Sequence, residues 1–227
     1  WKIVDSLGSG TATAPPVNTI AFSPDGQILA TGSVDEIVRL WNVDSDSSTI
    51  TATFGTRAHI SSLAFSPDGQ YLLTGLYDCT ARLWNVSDCE RTQTFEGHSR
   101  PIRDVAYRLD GQMVATASED KTARLWNATS GTCMKILTGH TRQVSSVTFS
   151  PDGQLAATGS RDRDIRLWNV ASGTCEEVLS VNRQQPLFAL FASGAMTGVV
   201  VHAAPPERPA ERPAPPTPHR FFGSGGA

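Results

Sequence analysis

The chain has 227 residues, long enough for one large domain or two small ones with a sizeable buried core. Nineteen Lys and Arg against 22 Asp and Glu give a net charge of −3, which disfavours bulk attraction to nucleic acid or to an anionic membrane. Cys79, Cys89, Cys133 and Cys175 contain no CxxC pair, and Cys133 and Cys175 sit at equivalent places in two copies of one sequence pattern, so they read as small apolar strand residues and not as a zinc site or disulfide framework, and a reducing, cytoplasmic setting suits them.

The chain opens on Trp1-Lys2-Ile3-Val4, which reads as the end of a third strand of a preceding unit. It lacks the basic stretch and apolar run of a secretory signal. Trp1 is the first of five tryptophans on one period: Trp1, Trp41, Trp84, Trp126 and Trp168 are separated by 40, 43, 42 and 42 residues. A fixed period in this range points to a repeat architecture.

Each unit repeats the same elements. A first β-rich run (Ile20–Phe22, Leu63–Phe65, Val105–Tyr107, Val147–Phe149) meets the turn Ser-Pro-Asp-Gly, blurred to Arg108-Leu109-Asp110-Gly111 in the third unit. Proline presets φ, aspartate caps the turn with its side chain, and glycine takes positive φ cheaply, so this is a hairpin hinge. A second run follows (Ile28–Thr31, Tyr71–Thr74, Met113–Thr116, Leu155–Thr158). The third ends in Arg-Leu-Trp-Asn at Asn42, Asn85, Asn127 and Asn169. The fourth runs are Thr49–Phe54, Arg91–Phe95, Thr132–Leu137 and Thr174–Val181. Short, evenly spaced strands with turn signals argue for an all-β fold.

The pairs Gly97-His98 and Gly139-His140, the Ser-Pro-Asp-Gly turns, the aspartate six residues before each internal tryptophan and the Arg-Leu-Trp-Asn ends resemble WD40 repeats over about residues 1–181. The resemblance implies a β-propeller, or part of one, built from four-stranded antiparallel blades. Units fall near 12–54, 55–96, 97–138 and 139–181, with 1–11 ending a preceding blade and 182–203 a degenerate partial repeat. Four units are fewer than the seven blades that the family favours. The chain is expected to belong to a longer propeller, to complete its ring by oligomerising, or to close as five blades with Trp1–Leu7 as outer strand; exposed edges favour the first.

The family's internal staple is a His–Thr–Asp–Trp network. It is complete as His98, Thr116, Asp120 and Trp126, and again as His140, Thr158, Asp162 and Trp168. The second unit keeps Thr74, Asp78 and Trp84 but has Thr56 in place of histidine; the first keeps Thr31, Asp35 and Trp41 but has Thr13. These two blades are expected to lack a hydrogen bond or two each, at about 1 kcal/mol per bond. Recurrence in every unit, with tryptophan, argues for a structural network and against a catalytic triad, which is needed once and in an open pocket. No catalytic residue, metal site or cofactor is expected; Asp44-Ser45-Asp46 and Asp162-Arg163-Asp164 do not follow the calcium-loop spacing.

The resemblance also implies a partner-binding loop face, carried over here to Asn18, His59, Tyr77, Arg103, Glu119, Gln143 and Arg161, with Pro16, Val34, Ser61, Pro101 and Ser145 at equivalent positions. These residues differ from unit to unit while the frame repeats, as expected of a constant scaffold with a variable surface. Tyr and Arg are the types enriched at binding hot spots.

Beyond the fourth unit, Leu187–Phe191 continues the repeat as a first strand and Thr197–Val201 as a second. The uncharged stretch 187–204 also admits a membrane-spanning reading, which its glycine, serine and β-branched content disfavours. Pro205–Pro218 begins a proline-rich, disordered tail at 204–227, in which Arg212, Pro215 and Pro218 match the spacing of SH3-domain ligands. The function expected is a non-catalytic scaffold for proteins or peptides. A regulatory segment of a larger NTPase- or kinase-linked signalling protein is the alternative, and a membrane-tethered fragment a lesser one.

Overall fold

The structure, a computed structural model, describes residues 15–43, 49–180, 187–191 and 199–203, the last two as backbone. Trp1–Leu7, Thr13, Asp44–Asp46 and the proline-rich segment with Arg212, Pro215 and Pro218 lie outside the described residues.

The described chain is all strand and turn. Blade 1 is β1 (Val17–Phe22), β2 (Ile28–Ser33), β3 (Ile37–Asn42) and β4 (Thr49–Gly55). Blade 2 is β5 (Ile60–Phe65), β6 (Tyr71–Leu76), β7 (Ala81–Asn85) and β8 (Arg91–Phe95). Blade 3 is β9 (Ile102–Tyr107), β10 (Met113–Ser118), β11 (Thr122–Asn127) and β12 (Cys133–Thr138). Blade 4 is β13 (Val144–Phe149), β14 (Leu155–Ser160), β15 (Asp164–Asn169) and β16 (Cys175–Ser180). Each blade is an antiparallel meander in sequence order, and the first strands β1, β5, β9 and β13 lie side by side.

The turn chemistry sets the hairpins. In blade 1, Gly26 sits at φ 74° and its N–H donates to Ser23 O at 2.9 Å. The Ser23 hydroxyl donates to Asp25 Oδ1 at 2.6 Å and accepts the Ile28 N–H at 2.9 Å. Blades 2 and 4 repeat these bonds through Ser66 and Ser150. Blade 3 has no serine there; Arg108 Nε donates to Asp110 Oδ1 at 2.9 Å instead.

Second strands are apolar or small at nearly every position because a blade covers each face. β10, Met-Val-Ala-Thr-Ala-Ser, is buried throughout, and its alanines allow close approach. Between blades 1 and 2, Ala30, Val38 and Leu40 pack against Ile60, Leu63, Phe65 and Leu72. Each large side chain buried this way contributes about 1.5–3 kcal/mol.

The leading face of blade 1 departs from this pattern. Val17, Ile20 and Phe22 are 56, 61 and 52% exposed, against 0, 7 and 9% for their counterparts Ile60, Leu63 and Phe65. Repeat positions that are core in blade 2 are thus surface here.

At the far end, β17 (Leu187–Phe191) and β18 (Val199–Ala203) pair antiparallel, and β17 packs on β13 and β14. The second strand therefore starts two residues later than the repeat predicts. The stretch offered as a membrane span contains two strands, and no described helix is long and apolar enough to cross a membrane.

Candidate functional site

Antiparallel order puts the loops between fourth and first strands at the same end of each blade as those between second and third strands. This loop end holds the predicted network and contact residues; the Ser-Pro-Asp-Gly turns lie at the other.

In blade 3, Trp126 Nε1–H donates to Thr116 Oγ1 at 2.9 Å. Thr116 Oγ1 and His98 Nε2 are 2.7 Å apart, and His98 Nδ1 lies 2.7 Å from Asp120 Oδ2. With the carboxylate fixing the proton on Nδ1, the threonine hydroxyl donates to Nε2, and donation runs from Trp to Thr to His to Asp. Asp120 also accepts the Ser99 and Thr122 amides, closing both loops. Burial alone would raise the Asp120 pKa; hydrogen bonds from His98 and Thr122 hold it far below the usual carboxylate range. Blade 4 repeats the chain at 2.8, 2.8 and 2.9 Å through Trp168, Thr158, His140 and Asp162. There burial pushes the His140 pKa down, while backbone and His140 hydrogen bonds lower Asp162 against its own burial. The His98 and His140 side chains are 0 and 1% exposed, so no substrate reaches the hydroxyls.

Blades 1 and 2 keep the Trp–Thr bond, at 3.0 Å for Trp41–Thr31 and 3.1 Å for Trp84–Thr74. Lacking histidine, they are pinned by arginine. Arg39 reaches Asp35 at 2.6 Å, and Arg82 bonds both Asp78 and the Thr56 carbonyl. The expected shortfall of a hydrogen bond or two is therefore made up by the arginine of the Arg-Leu-Trp-Asn strand. In blades 3 and 4 the equivalent Arg124 and Arg166 have no carboxylate among the described residues. Their Nε atoms are buried and unbonded, as is that of Arg82, and Arg124 lies over the Trp126 ring at 5.8 Å.

Each first strand carries a one-residue bulge against its neighbour, at Asn18, Ser61, Arg103 and Ser145. A bulge re-aims the extra side chain. Asn18 Nδ2 donates to Ile60 O of the next blade at 3.3 Å, and the Ser61 hydroxyl reaches Ile102 O at 2.7 Å. These two predicted contact positions tie blades together. Arg103 instead points over Tyr77, 5.5 Å from the ring centroid, bonds its hydroxyl, and lies 3.6 Å from Glu119. The His59 and Tyr77 rings are 6.0 Å apart, and His59 Nε2 is 4.0 Å from Glu36. A contiguous polar-aromatic strip, Glu36–His59–Tyr77–Arg103–Glu119, thus crosses blades 1 to 3. Gln143 and Arg161 meet in blade 4 through an Arg161 N–H to Gln143 O bond of 3.0 Å, outside this strip.

Sequence reasoning missed Glu36 and a recurrent feature beside it. Glu36, Cys79, Lys121 and Arg163, each directly after the network aspartate, hold φ between 66° and 76°. Left-handed backbone at a non-glycine residue costs about 1 kcal/mol, here at four positions that differ in chemistry. The signal was the position itself, where turns of this shape usually take glycine or asparagine.

Asp104, on β9, was also missed. Its Oδ1 accepts the Ser62 hydroxyl at 2.8 Å and the Val105 amide at 2.9 Å, and its Oδ2 accepts the Val147 amide at 2.9 Å, so it joins blades 2, 3 and 4. The residue keeps some accessible surface, but its carboxylate is enclosed, and burial pushes the pKa up to about 6 against these bonds. At the turn end, a groove of about 860 Å³ between blades 3 and 4 is lined by Leu109, Met113, Met134, Pro151 and Val170.

Among curated proteins, one relative is Periodic tryptophan protein 2 of Arabidopsis thaliana, 50% identical over 42 residues; the match covers 18% of this chain and 5% of that protein. The family model described as WD domain, G-beta repeat matches residues 2–42, 48–85, 89–127 and 131–169. These segments take up more than half of the chain and follow the tryptophan period, the last three each running from the fourth strand of one sheet through the third strand of the next, and the chain belongs to the WD40 repeat family.

Proposed function

We propose that this chain is a non-catalytic scaffold that binds a protein or peptide through the loop end of its blades, centred on His59, Tyr77, Arg103 and Glu119. The observation that carries the reading is the continuity of this strip across blades 1 to 3. WD40 repeats serve as protein-interaction scaffolds, and the strip is where invariant frame gives way to side chains that differ between blades. Tyr77 is 41% exposed yet held between a guanidinium and an imidazole, so it presents a large contact surface at little cost in side-chain entropy. The sealed histidine networks support a non-enzymatic role. Four free cysteines support a reducing, cytoplasmic location.

The test places a photo-crosslinking residue at position 77 and, as control, at Leu109 on the turn end. Partners are expected to attach at position 77 and not at 109. The triple variant Tyr77→Ala, Arg103→Ala, Arg161→Ala, verified as folded by circular dichroism, is expected to lose them. Retention of the same partners by that variant refutes the assignment.

A further inference from the structure

The charges of the loop end point to the chemistry of its partner. Over blades 3 and 4, Arg100, Lys121, Arg142 and Arg163 are all exposed, and none has a side-chain partner among the described residues. Arg161 is exposed beside them. The carboxylates of the same loops are otherwise engaged: Asp120 with His98, Asp162 with His140, Glu119 with Arg103. Glu96 is the exposed acid that remains, and Asp164, half-buried beside Arg163, accepts the Ser180 hydroxyl at 2.7 Å.

The histidines have a second effect. In blades 1 and 2, Arg39 and Arg82 are neutralised by Asp35 and Asp78. In blades 3 and 4 histidine holds the aspartate, leaving the Arg124 and Arg166 charges uncompensated, with guanidinium groups packed against Gly97 and Gly139 in the same loops. Lys121 and Arg163 moreover occupy the left-handed positions, where cationic side chains are held at a backbone cost. The turn end is the reverse: Asp25, Asp68, Asp88, Glu90 and Asp152 are exposed against the cations Arg91 and Lys135, and Asp110 pairs with Arg108. A net charge of −3 thus conceals a positive end and a negative end.

We propose that the loop end of blades 3 and 4 docks an acidic peptide segment, with Arg100, Lys121, Arg142 and Arg163 as its counter-charges beside the Tyr77–Arg103 pair; this rests on the loop end being the partner face. Separated cations broken by Glu96 and Glu119 suit carboxylates interleaved with neutral residues. A nucleic-acid strand carries a charge on every phosphate and favours an unbroken basic track. Exposed charges of this kind act mainly by steering encounter, so their effect is screened by salt.

The experiment is fluorescence anisotropy of the full chain with a fluorescein-labelled peptide of about 12 residues alternating Glu with Ser and Gly, at about 50 and about 300 mM NaCl. Binding is expected to weaken about tenfold between the two salts, and about tenfold in the double variant Arg100→Glu, Arg142→Glu at low salt. The turn-end variant Asp68→Lys, Asp152→Lys is expected to stay within about twofold, its charges lying beyond screening range. Unchanged binding by the Arg100→Glu, Arg142→Glu variant overturns the proposal. So does tighter binding of a single-stranded oligonucleotide of equal length, which reassigns the patch to nucleic acid. If crosslinking at position 77 finds partners that the acidic peptide does not displace, the acidic assignment falls while the loop-end reading stands.

Discussion

Replacing Arg82 by alanine tests whether arginine takes over from the missing histidine. The Arg82 side chain is 13% exposed and Asp78 31%, so the pair is shielded but not fully desolvated. Its loss removes one charge-assisted hydrogen bond, worth about 1 kcal/mol after solvent screening, and leaves the Thr56 carbonyl without the guanidinium, about 1 kcal/mol more. The expected cost is about 2 kcal/mol. Arg124→Ala removes the same side chain where no carboxylate among the described residues binds it, and its packing on Trp126 and Gly97 is lost, about 1 kcal/mol or less. His140→Ala breaks two enclosed hydrogen bonds and opens a cavity, about 3 kcal/mol. Urea unfolding followed by tryptophan fluorescence ranks the three, provided that the slope with denaturant is unchanged. Equal costs for Arg82→Ala and Arg124→Ala would refute the substitution of arginine for histidine.

Phe65→Ala is expected to cost about 3 kcal/mol and Phe22→Ala about 1 kcal/mol or less, since one fills a blade interface and the other lies half exposed; equal urea midpoints would mean that the leading face of blade 1 is covered in solution. For Asp104, a pKa raised from 3.8 to about 6 means stability fully present below pH 3.8 and lost as pH rises through about 6. The depressed His140 pKa acts oppositely, its contribution being present above 6.5 and lost as pH falls through the folded-state value. Asp104→Asn is therefore expected to remove the decline between about pH 4 and 6, which a pH series of thermal melts measures. Arg163→Gly is expected to gain about 1 kcal/mol by relieving left-handed backbone; a loss in urea titrations would show that its side chain contributes more than the strain.

The hairpins were legible because their determinants are local: Pro, Asp and Gly specify the turn wherever they occur, and the alternation around them sets the strands. Boundaries moved by up to three residues, as β1 begins at Val17, not Ile20. That extension includes the bulge at Asn18, a shift in pairing that no single-strand pattern displays. The arginine rescue was hidden for another reason. Arginine stands four residues after the aspartate in all four units, so the spacing is the same whether it binds the carboxylate or is displaced by histidine. Only competition in three dimensions separates Arg82 from Arg124. Charge separation was hidden too, because composition sums Asp152 with Arg163, although the meander sends them to opposite ends.

The choice between histidine and arginine sets more than stability: an arginine blade is locally neutral, a histidine blade leaves a cation near the loop surface. Conversion of one type into the other is therefore expected to move charge without changing the fold. Blade 2 is suited to it, because Gly55-Thr56 stands in sequence where Gly97-His98 stands in blade 3, and Thr74 and Asp78 are retained. In Thr56→His the new imidazole is expected to take Asp78 and Thr74 as His98 takes Asp120 and Thr116, releasing Arg82. The cost of Arg82→Ala would then fall from about 2 to about 1 kcal/mol, a coupling that a double-mutant cycle resolves between adjacent groups. An undiminished cost in the Thr56→His background means that Arg82 keeps its carboxylate, and that the histidine does not decide where the charge lies.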